Sequence, residues 1–452
     1  MVHWAHDSVF YHIYPLGLCG APPRNDLASP PVPRLRQLVD WVGHLQDLGV
    51  NALYLGPVFE SSAHGYDTAD YYHVDRRLGD NDTLREVVAA MHRSGIRVIL
   101  DGVFNHVGRD FWAFRDLRAR NGGSPYRDWF HGLSFQGHSP YGDPFGYEGW
   151  NGHYELVRLN LGHPPVREHL LGAVEMWIRE FEIDGLRLDV ADVLDMEFMR
   201  ALAAFCKGLR PDFWLLGEVI HGDYRKWANP HTLDAVTNYE CYKGLYSSHV
   251  DHNYFEIAYA LERQFGPHGL YRGLPLYNFG ENHDVNRVAS NLREPAHLCP
   301  LYCLLFTMPG VPALYYGGEW GLEGRKELHS DATLRPALDL ERARRDAPHP
   351  DLAPAIARLA RLRHASLPLR RGDYIPLEVR GEQLAFARQA GDECVLVLVN
   401  AAAEPASFDL PLPGGRGRQL VDLLNLGQTF AVQDGRACLD VWPRWARILA
   451  VE

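Results

Sequence analysis

The sequence predicts an α/β chain: a (β/α)8 TIM barrel with an insertion after strand three and a C-terminal antiparallel β-sandwich domain. Three observations carry this. Short β-branched runs alternate with segments of helical period from residue 9 to residue 362 of the 452, the arithmetic of eight strand–helix units. Residues 107–157 interrupt the rhythm with Gly, aromatic and turn residues, such as Asn121-Gly122-Gly123-Ser124-Pro125. From residue 369 the pattern becomes alternating strands split by Gly and Pro turns, a separate all-β module.

Taken in order, residues 9–14 read as the first strand. Leu35, Leu38, Val39, Val42, Leu45 and Leu48 recur at three- and four-residue steps, one amphipathic helix. Strands follow at 50–55, 96–100, 185–190 and 213–216, with helices at 84–93, 166–181 and 196–209. Weaker strands at 235–237 and 276–279 flank a helix at 255–265. A strand at 311–316 and a helix at 352–362 close the series. The expected organisation is a catalytic barrel over 1–106 and 158–368, an insertion domain over 107–157, and the β-sandwich over 369–452.

Composition narrows the function. Lys and Arg number 45 against 57 Asp and Glu, a net charge of −12 with the acids scattered. Nucleic acid and anionic membranes are excluded as partners, because the chain lacks a cationic footprint. No apolar run approaches the length of a membrane span. The amino terminus carries no Lys or Arg before Arg24, so it does not read as a signal peptide. Seven cysteines at irregular spacing (Cys19, Cys206, Cys241, Cys299, Cys303, Cys394, Cys438) form no C-x-x-C pair and no disulfide framework. A reducing compartment, the cytoplasm, is expected.

The chemistry is expected at the carboxyl ends of the barrel strands. Strand three ends in Asp101-Gly102-Val103-Phe104-Asn105-His106, and strand four carries Arg187 and Asp189 two residues apart, hence on one face. Strand five ends in Gly217-Glu218 and strand seven in Asn282-His283-Asp284. Four carboxylates around one mouth are hard to explain structurally, since like charges sharing a site cost stability. Paired carboxylates, an Arg and neutral hydrogen-bonding groups without a cofactor motif suit glycoside hydrolysis. Arg187 is expected to hold Asp189 ionised, and Glu218, crowded by acids, to begin as the proton donor. Phosphate-binding glycine motifs do not follow any strand.

These four blocks resemble the signature regions of the α-amylase family, glycoside hydrolase family 13, in order and on the matching strands. Gly65-Tyr66-Asp67 with Asp70-Tyr71-Tyr72, and Gly310-Val311-Pro312-Ala313-Leu314-Tyr315-Tyr316-Gly317-Gly318-Glu319, agree as well. The resemblance implies Asp189 as nucleophile, Glu218 as general acid/base, and Asp284 as the third acid on the sugar's 2- and 3-hydroxyls. It implies that His106 and His283 hydrogen-bond the glucose at the cleaved position, that Arg187 orients Asp189, that Tyr66 stacks on that ring, and that Asp101 braces the site. Asn105 matches a position the family often uses for structural calcium; a plain hydrogen-bonding role is equally open, since the insertion offers no identifiable partner carboxylates. No cofactor or catalytic metal is expected.

The insertion segments Gly108-Arg109-Asp110-Phe111 and Ser124–Phe130, with Leu159-Asn160 and 177–185, resemble the cyclomaltodextrinase, neopullulanase and maltogenic amylase group. Two departures stand out. Strand one begins near residue 9, leaving no room for that group's N-terminal β-domain, so the dimer it supports is not implied and the oligomeric state stays open. Asp192-Val193 replace the residues that usually contact leaving-side sugars. The expected function is a retaining hydrolase of α-1,4-linked glucans, short or cyclic maltooligosaccharides. The alternatives are a glucosyl transferase on the same site and an inactive carbohydrate-binding protein; intact Asp189, Glu218 and Asp284 oppose the second. Twelve aromatics between Phe111 and Tyr154 are expected to send some rings to the mouth as the wall of a pocket. A thiol titration in denaturant without reductant should find most of the seven cysteines reactive; three intact disulfides would contradict this reading.

Overall fold

The computed structural model describes residues 3–328, 330–415, 417–425 and 427–452. Eight parallel strands form the barrel: β1 (Phe10–Ile13), β2 (Ala52–Leu55), β3 (Arg97–Gly102), β4 (Gly185–Leu188), β5 (Trp214–Gly217), β6 (Ala235–Val236), β7 (Tyr277–Phe279) and β8 (Val311–Tyr315). They pair in the order β6-β5-β4-β3-β2-β1-β8-β7, and a parallel bridge between Thr237 and Tyr277 closes the ring. Every residue of β1, β2, β4, β5 and β8 is buried, as expected of strands covered on both faces.

The outer helices include α1 (Asn81–Arg93), α2 (Pro164–Glu180), α3 (Met196–Leu209), α4 (Tyr239–Val250), α5 (Phe255–Phe265), α6 (Leu298–Thr307) and α7 (Leu352–Ala365). Local chemistry sets their ends. Asp80 caps α1 through the Thr83 amide at 2.8 Å in a capping box, and Asp195 caps α3 through the Phe198 amide at 2.7 Å. The expected helix across residues 35–48 is divided: Gln37–Asp40 and Val42–Asp47 are separated at Trp41, whose amide bonds Leu38 O at 3.1 Å in a tightened turn. Two helices escape sequence periodicity. In α6 nearly every residue is buried, Pro300 included, so no polar face marks the period. In α4 polar Ser247, Ser248 and His249 are themselves buried.

The C-terminal strands are β9 (Asp373–Val379), β10 (Gln383–Ala390), β11 (Glu393–Asn400), β12 (Ala406–Pro411), β13 (Gln419–Asp422), β14 (Thr429–Ala431), β15 (Arg436–Val441) and β16 (Trp445–Val451). Six make one antiparallel sheet, β9-β10-β11-β16-β13-β14, faced by the pair β12-β15. Val395, Val397 and Val399 of β11 join the barrel's apolar core, whereas Leu396 and Leu398 meet Phe408, Leu410 and Leu439. Period-two alternation thus makes one strand serve two cores. All seven cysteines are unpaired. Among the described residues no helix is long and apolar enough to cross a membrane.

The excursion after β2 is a hairpin of Phe59–Ser61 and Thr68–Val74. It is fastened to α2 by Trp177, which stacks on Phe59 at 4.1 Å and 10° and donates its indole N–H to Tyr71 O at 2.8 Å. Trp177→Ala should destabilise the chain by about 3–5 kcal/mol and Trp177→Phe by less, because only the alanine leaves the full cavity. The urea midpoint at unchanged slope measures it; equal losses would mean the indole hydrogen bond, not the packing, dominates.

Candidate active site

Strand ends deliver the four acids to one mouth. Asp101 is the penultimate residue of β3, β4 is followed by Asp189, and Glu218 follows β5. Asp284 stands in the loop after β7. The buried guanidinium of Arg187, on β4, gathers three of them. Its Nη1 contacts Asp101 Oδ1 at 2.8 Å and Asp189 Oδ1 at 2.9 Å, and its Nη2 contacts Glu218 Oε2 at 2.8 Å. Asp101 Oδ2 also accepts from Tyr54 at 2.9 Å and from Tyr66 at 3.1 Å. The Tyr66 hydroxyl meets His283 Nε2 as well, and His283 Nε2 lies 2.9 Å from Asp284 Oδ2.

The oxygens are unequally occupied. Glu218 Oε2 takes the Val190 amide at 3.1 Å besides Arg187, while among the described residues Oε1 faces only the Tyr239 hydroxyl at 3.3 Å. Asp189 Oδ1 is held by Arg187, whereas Oδ2 has only His106 Nε2 at 3.9 Å, beyond hydrogen-bond range. His106 Nε2 and His283 Nδ1 are buried without a protein partner, a condition that marks functional sites. Tyr66 lies parallel to His283, 8° between planes and 5.4 Å between centroids.

Burial raises the Asp189 carboxyl well above the usual range; Arg187 pulls it down, and Glu218, Asp101 and Asp284 push it up again. The sequence expectation weighed only the attraction to Arg187, and desolvation outweighs it. Burial also acts to raise Asp284, but there His283 and Arg335 prevail and hold it well below the carboxylate range. Burial lowers His106 to about 3, so its ring is neutral at pH 7.

Three contributors were absent from the sequence reading. Arg335 bonds Asp284 Oδ1 at 2.9 Å and His283 O at 3.0 Å, from a segment without strand or helical period. Tyr239 reaches Glu218 from the first turn of α4, and Asn282 steadies Tyr239 at 3.1 Å. Tyr54 alone carried a signal, being the polar-tipped residue next to the end of β2.

Most of the insertion's aromatics turn away from the mouth. Phe111, Phe114, Trp129, Phe130, Phe145 and Tyr147 are buried and pack edge to face with one another, as Phe114 does with Tyr147 at 5.0 Å. Tyr141 is exposed and covers Arg109 at 4.2 Å. Trp150 does reach the mouth, 5.7 Å from the His106 ring. It borders a cavity of about 330 Å³ shared with Asp192, Val193, Val190 and Glu218. The expected aromatic wall is therefore chiefly the insertion's own core, with Trp150 at its edge, because a short segment with little regular structure needs rings to exclude water.

Asn105 contacts His106 Nδ1 at 3.2 Å, and its carbonyl accepts the Leu159 amide at 3.0 Å. Those contacts hold the insertion's stem. Among the described residues no three His, Cys, Asp or Glu converge as metal ligands. Glu319 lies away from the mouth, fully buried against the Tyr11 hydroxyl and His44 Nε2, each at 2.7 Å.

Comparison with known proteins identifies the family. Residues 34–348 match the family described as alpha amylase, catalytic domain, and 374–444 match a neopullulanase-like C-terminal domain. A cyclomaltodextrinase of Geobacillus thermopakistaniensis (strain MAS1) is 33% identical over 99% of this chain and 78% of its own. The solved structure of Ttha1563 from Thermus thermophilus superposes with TM-score 0.85 at 34% identity, covering 99% of this chain and 100% of that one. The cyclic alpha-maltosyl-(1→6)-maltose hydrolase of Arthrobacter globiformis, in complex with that sugar, gives 0.81 at 27% identity, covering all of both chains. The chain belongs to the alpha-amylase family of glycoside hydrolases.

Proposed function

We propose that the protein is a retaining hydrolase of short or cyclic α-1,4-linked maltooligosaccharides, with Asp189 as nucleophile and Glu218 as general acid/base. One observation carries this: a single guanidinium holds both carboxylates while leaving Asp189 Oδ2 without a hydrogen bond. Sharing one guanidinium favours the short separation of about 5–5.5 Å used in retention over the roughly 6.5–9.5 Å of inversion.

Turnover by this pair requires one proton on Glu218 while Asp189 is ionised. Reaction starts from the state with that proton on Glu218 Oε1, since Oε2 is engaged by two donors that favour a charged oxygen. Asp189 Oδ2 attacks the anomeric carbon as the glycosidic C–O bond breaks, and the leaving oxygen takes the proton from Glu218. Water then gives its proton to Glu218 and displaces Asp189. His106 Nε2 and His283 Nδ1 supply the unpartnered nitrogens for sugar hydroxyls, Asp284 stays ionised for the 2- and 3-hydroxyls, and Tyr66, its hydroxyl fixed by Asp101, stacks on the sugar ring. The cavity at Trp150 suits leaving-side sugars, and the names of the similar hydrolases support short or cyclic substrates. The unpaired cysteines support the cytoplasm as the working compartment.

Asp189→Asn and Glu218→Gln should each lower turnover on maltotriose by on the order of 10⁴-fold. Stability separates the two roles of Asp189. Its folded pKa is raised, so its contribution favours folding below the unfolded value of about 3.9 and is lost as pH rises through the folded one. Asp189→Asn should therefore melt no lower than the native protein at pH 7, any gain shrinking toward pH 4. Substantial activity, or a melt several degrees lower at pH 7, would contradict the assignment. Trp150→Ala should lower kcat/KM for maltotetraose and cyclodextrin about tenfold, the loss of one stacking contact, while hydrolysis of a maltoside with a small synthetic leaving group changes less. Equal losses on both substrates would place Trp150 outside the leaving-side site.

A further inference from the structure

On the face of the barrel opposite the catalytic mouth lies a cavity of about 390 Å³, between the leads into β7 and β8 and the start of the C-terminal module. Arg272, Arg370, Arg371 and Arg388 line it, a concentration of cations in a chain of net charge −12. Their counter-charges fall short. Asp7 serves Arg370 at 3.3 Å and Arg371 at 2.8 Å, and Asp373 serves Arg272 at 3.0 Å. Arg388 is 1% exposed, yet its bonds go to carbonyls alone, Gly372 O at 2.8 Å and Thr307 O at 2.5 Å. A buried cation without an anion is costly, and burial together with Arg363 disfavours its charge strongly.

Two further polar groups there want partners. Tyr374 is 2% exposed and lines the cavity, and its hydroxyl is unbonded. Arg370 Nε is likewise buried and unbonded. His3 and His6 also line the cavity, and burial lowers both, leaving neutral rings. Phe265, Leu274 and Val311 complete the wall with apolar surface. Guanidiniums with a spare N–H and a free phenol are matched by the several acceptor oxygens of a phosphate group, and the apolar wall leaves room for a small organic body.

We propose that this cavity binds the phosphate group of a small metabolite, at a site separate from the glycan mouth and independent of which glycan is cleaved. A bound phosphate would neutralise the surplus charge where the N-terminal segment, the barrel floor and the C-terminal sheet meet. The test is calorimetric titration of the full chain with inorganic phosphate, glucose 6-phosphate and AMP at constant ionic strength, chloride serving as control. Saturable binding is expected, with the melting temperature raised about 3 °C at a hundredfold excess over Kd. The double variant Arg370→Gln/Tyr374→Phe, which keeps the packing, should bind at least tenfold more weakly while maltotriose hydrolysis is unchanged. Equal affinity for all three probes would assign the bare oxyanion, and tighter binding of either ester would assign the apolar wall a share; both uphold the site. No saturable binding by any probe, or binding undiminished in the double variant, overturns it.

Discussion

The functional end of this barrel depends on one buried guanidinium. Asp101, Asp189 and Glu218 arrive on three adjacent strands, and Arg187 touches all three within 2.9 Å. Without it the mouth would hold like charges in a medium too poor in water to screen them. The planar fork of Arg, with donors directed to several sides, can bridge three acceptors, and a lysine's point charge could not fix their directions. Strand register does the rest. Arg187 pairs with Asp101 across β3 and β4, and with Leu216 across β4 and β5, so the cation sits level with the acids it must reach.

A second chain of contacts extends from this centre. Asp101 passes from Arg187 to Tyr66, Tyr66 to His283, and His283 to Asp284, which Arg335 holds from the other side. Each acid therefore has a different environment. Asp189 is deeply buried beside other acids and is raised, whereas Asp284 is one-third exposed between His283 and Arg335 and is lowered. Environment, rather than residue type, separates the two carboxylates, as the proposed division between nucleophile and hydroxyl-binding acid requires.

The sequence made the strand ends legible because a β-strand ties residue parity to a face: Arg187 and Asp189 had to share one. It made the barrel legible because eight apolar runs alternate with helical segments. It could not show Arg335, which approaches through a loop, nor Tyr239, whose helix α4 buries polar residues and so lacks an amphipathic stripe. The aromatics of the insertion misled for a related reason. Composition counts rings but does not say which way they turn, and only three-dimensional packing places Phe114 and Phe145 inward and Trp150 at the mouth. Asp192 and Val193, where the sequence departs from the group it resembles, both line the cavity beside Glu218.

Backbone strain completes the arrangement. Val190 has φ 41°, a left-handed conformation that a β-branched residue adopts at a cost of about 1–3 kcal/mol. The turn ends β4 at Leu188 and directs the Val190 amide to Glu218 Oε2 at 3.1 Å. The same peptide unit that follows the proposed nucleophile thus orients the proposed acid. An extended Val190 would relieve the strain but withdraw that amide, freeing Glu218 from one of its two donors on Oε2. Arg187 alone would then distinguish Oε2 from its twin. Strain at one residue therefore reinforces the asymmetry between two carboxylate oxygens that Arg187 sets, and the surrounding barrel, closed and buried on both faces, sustains it.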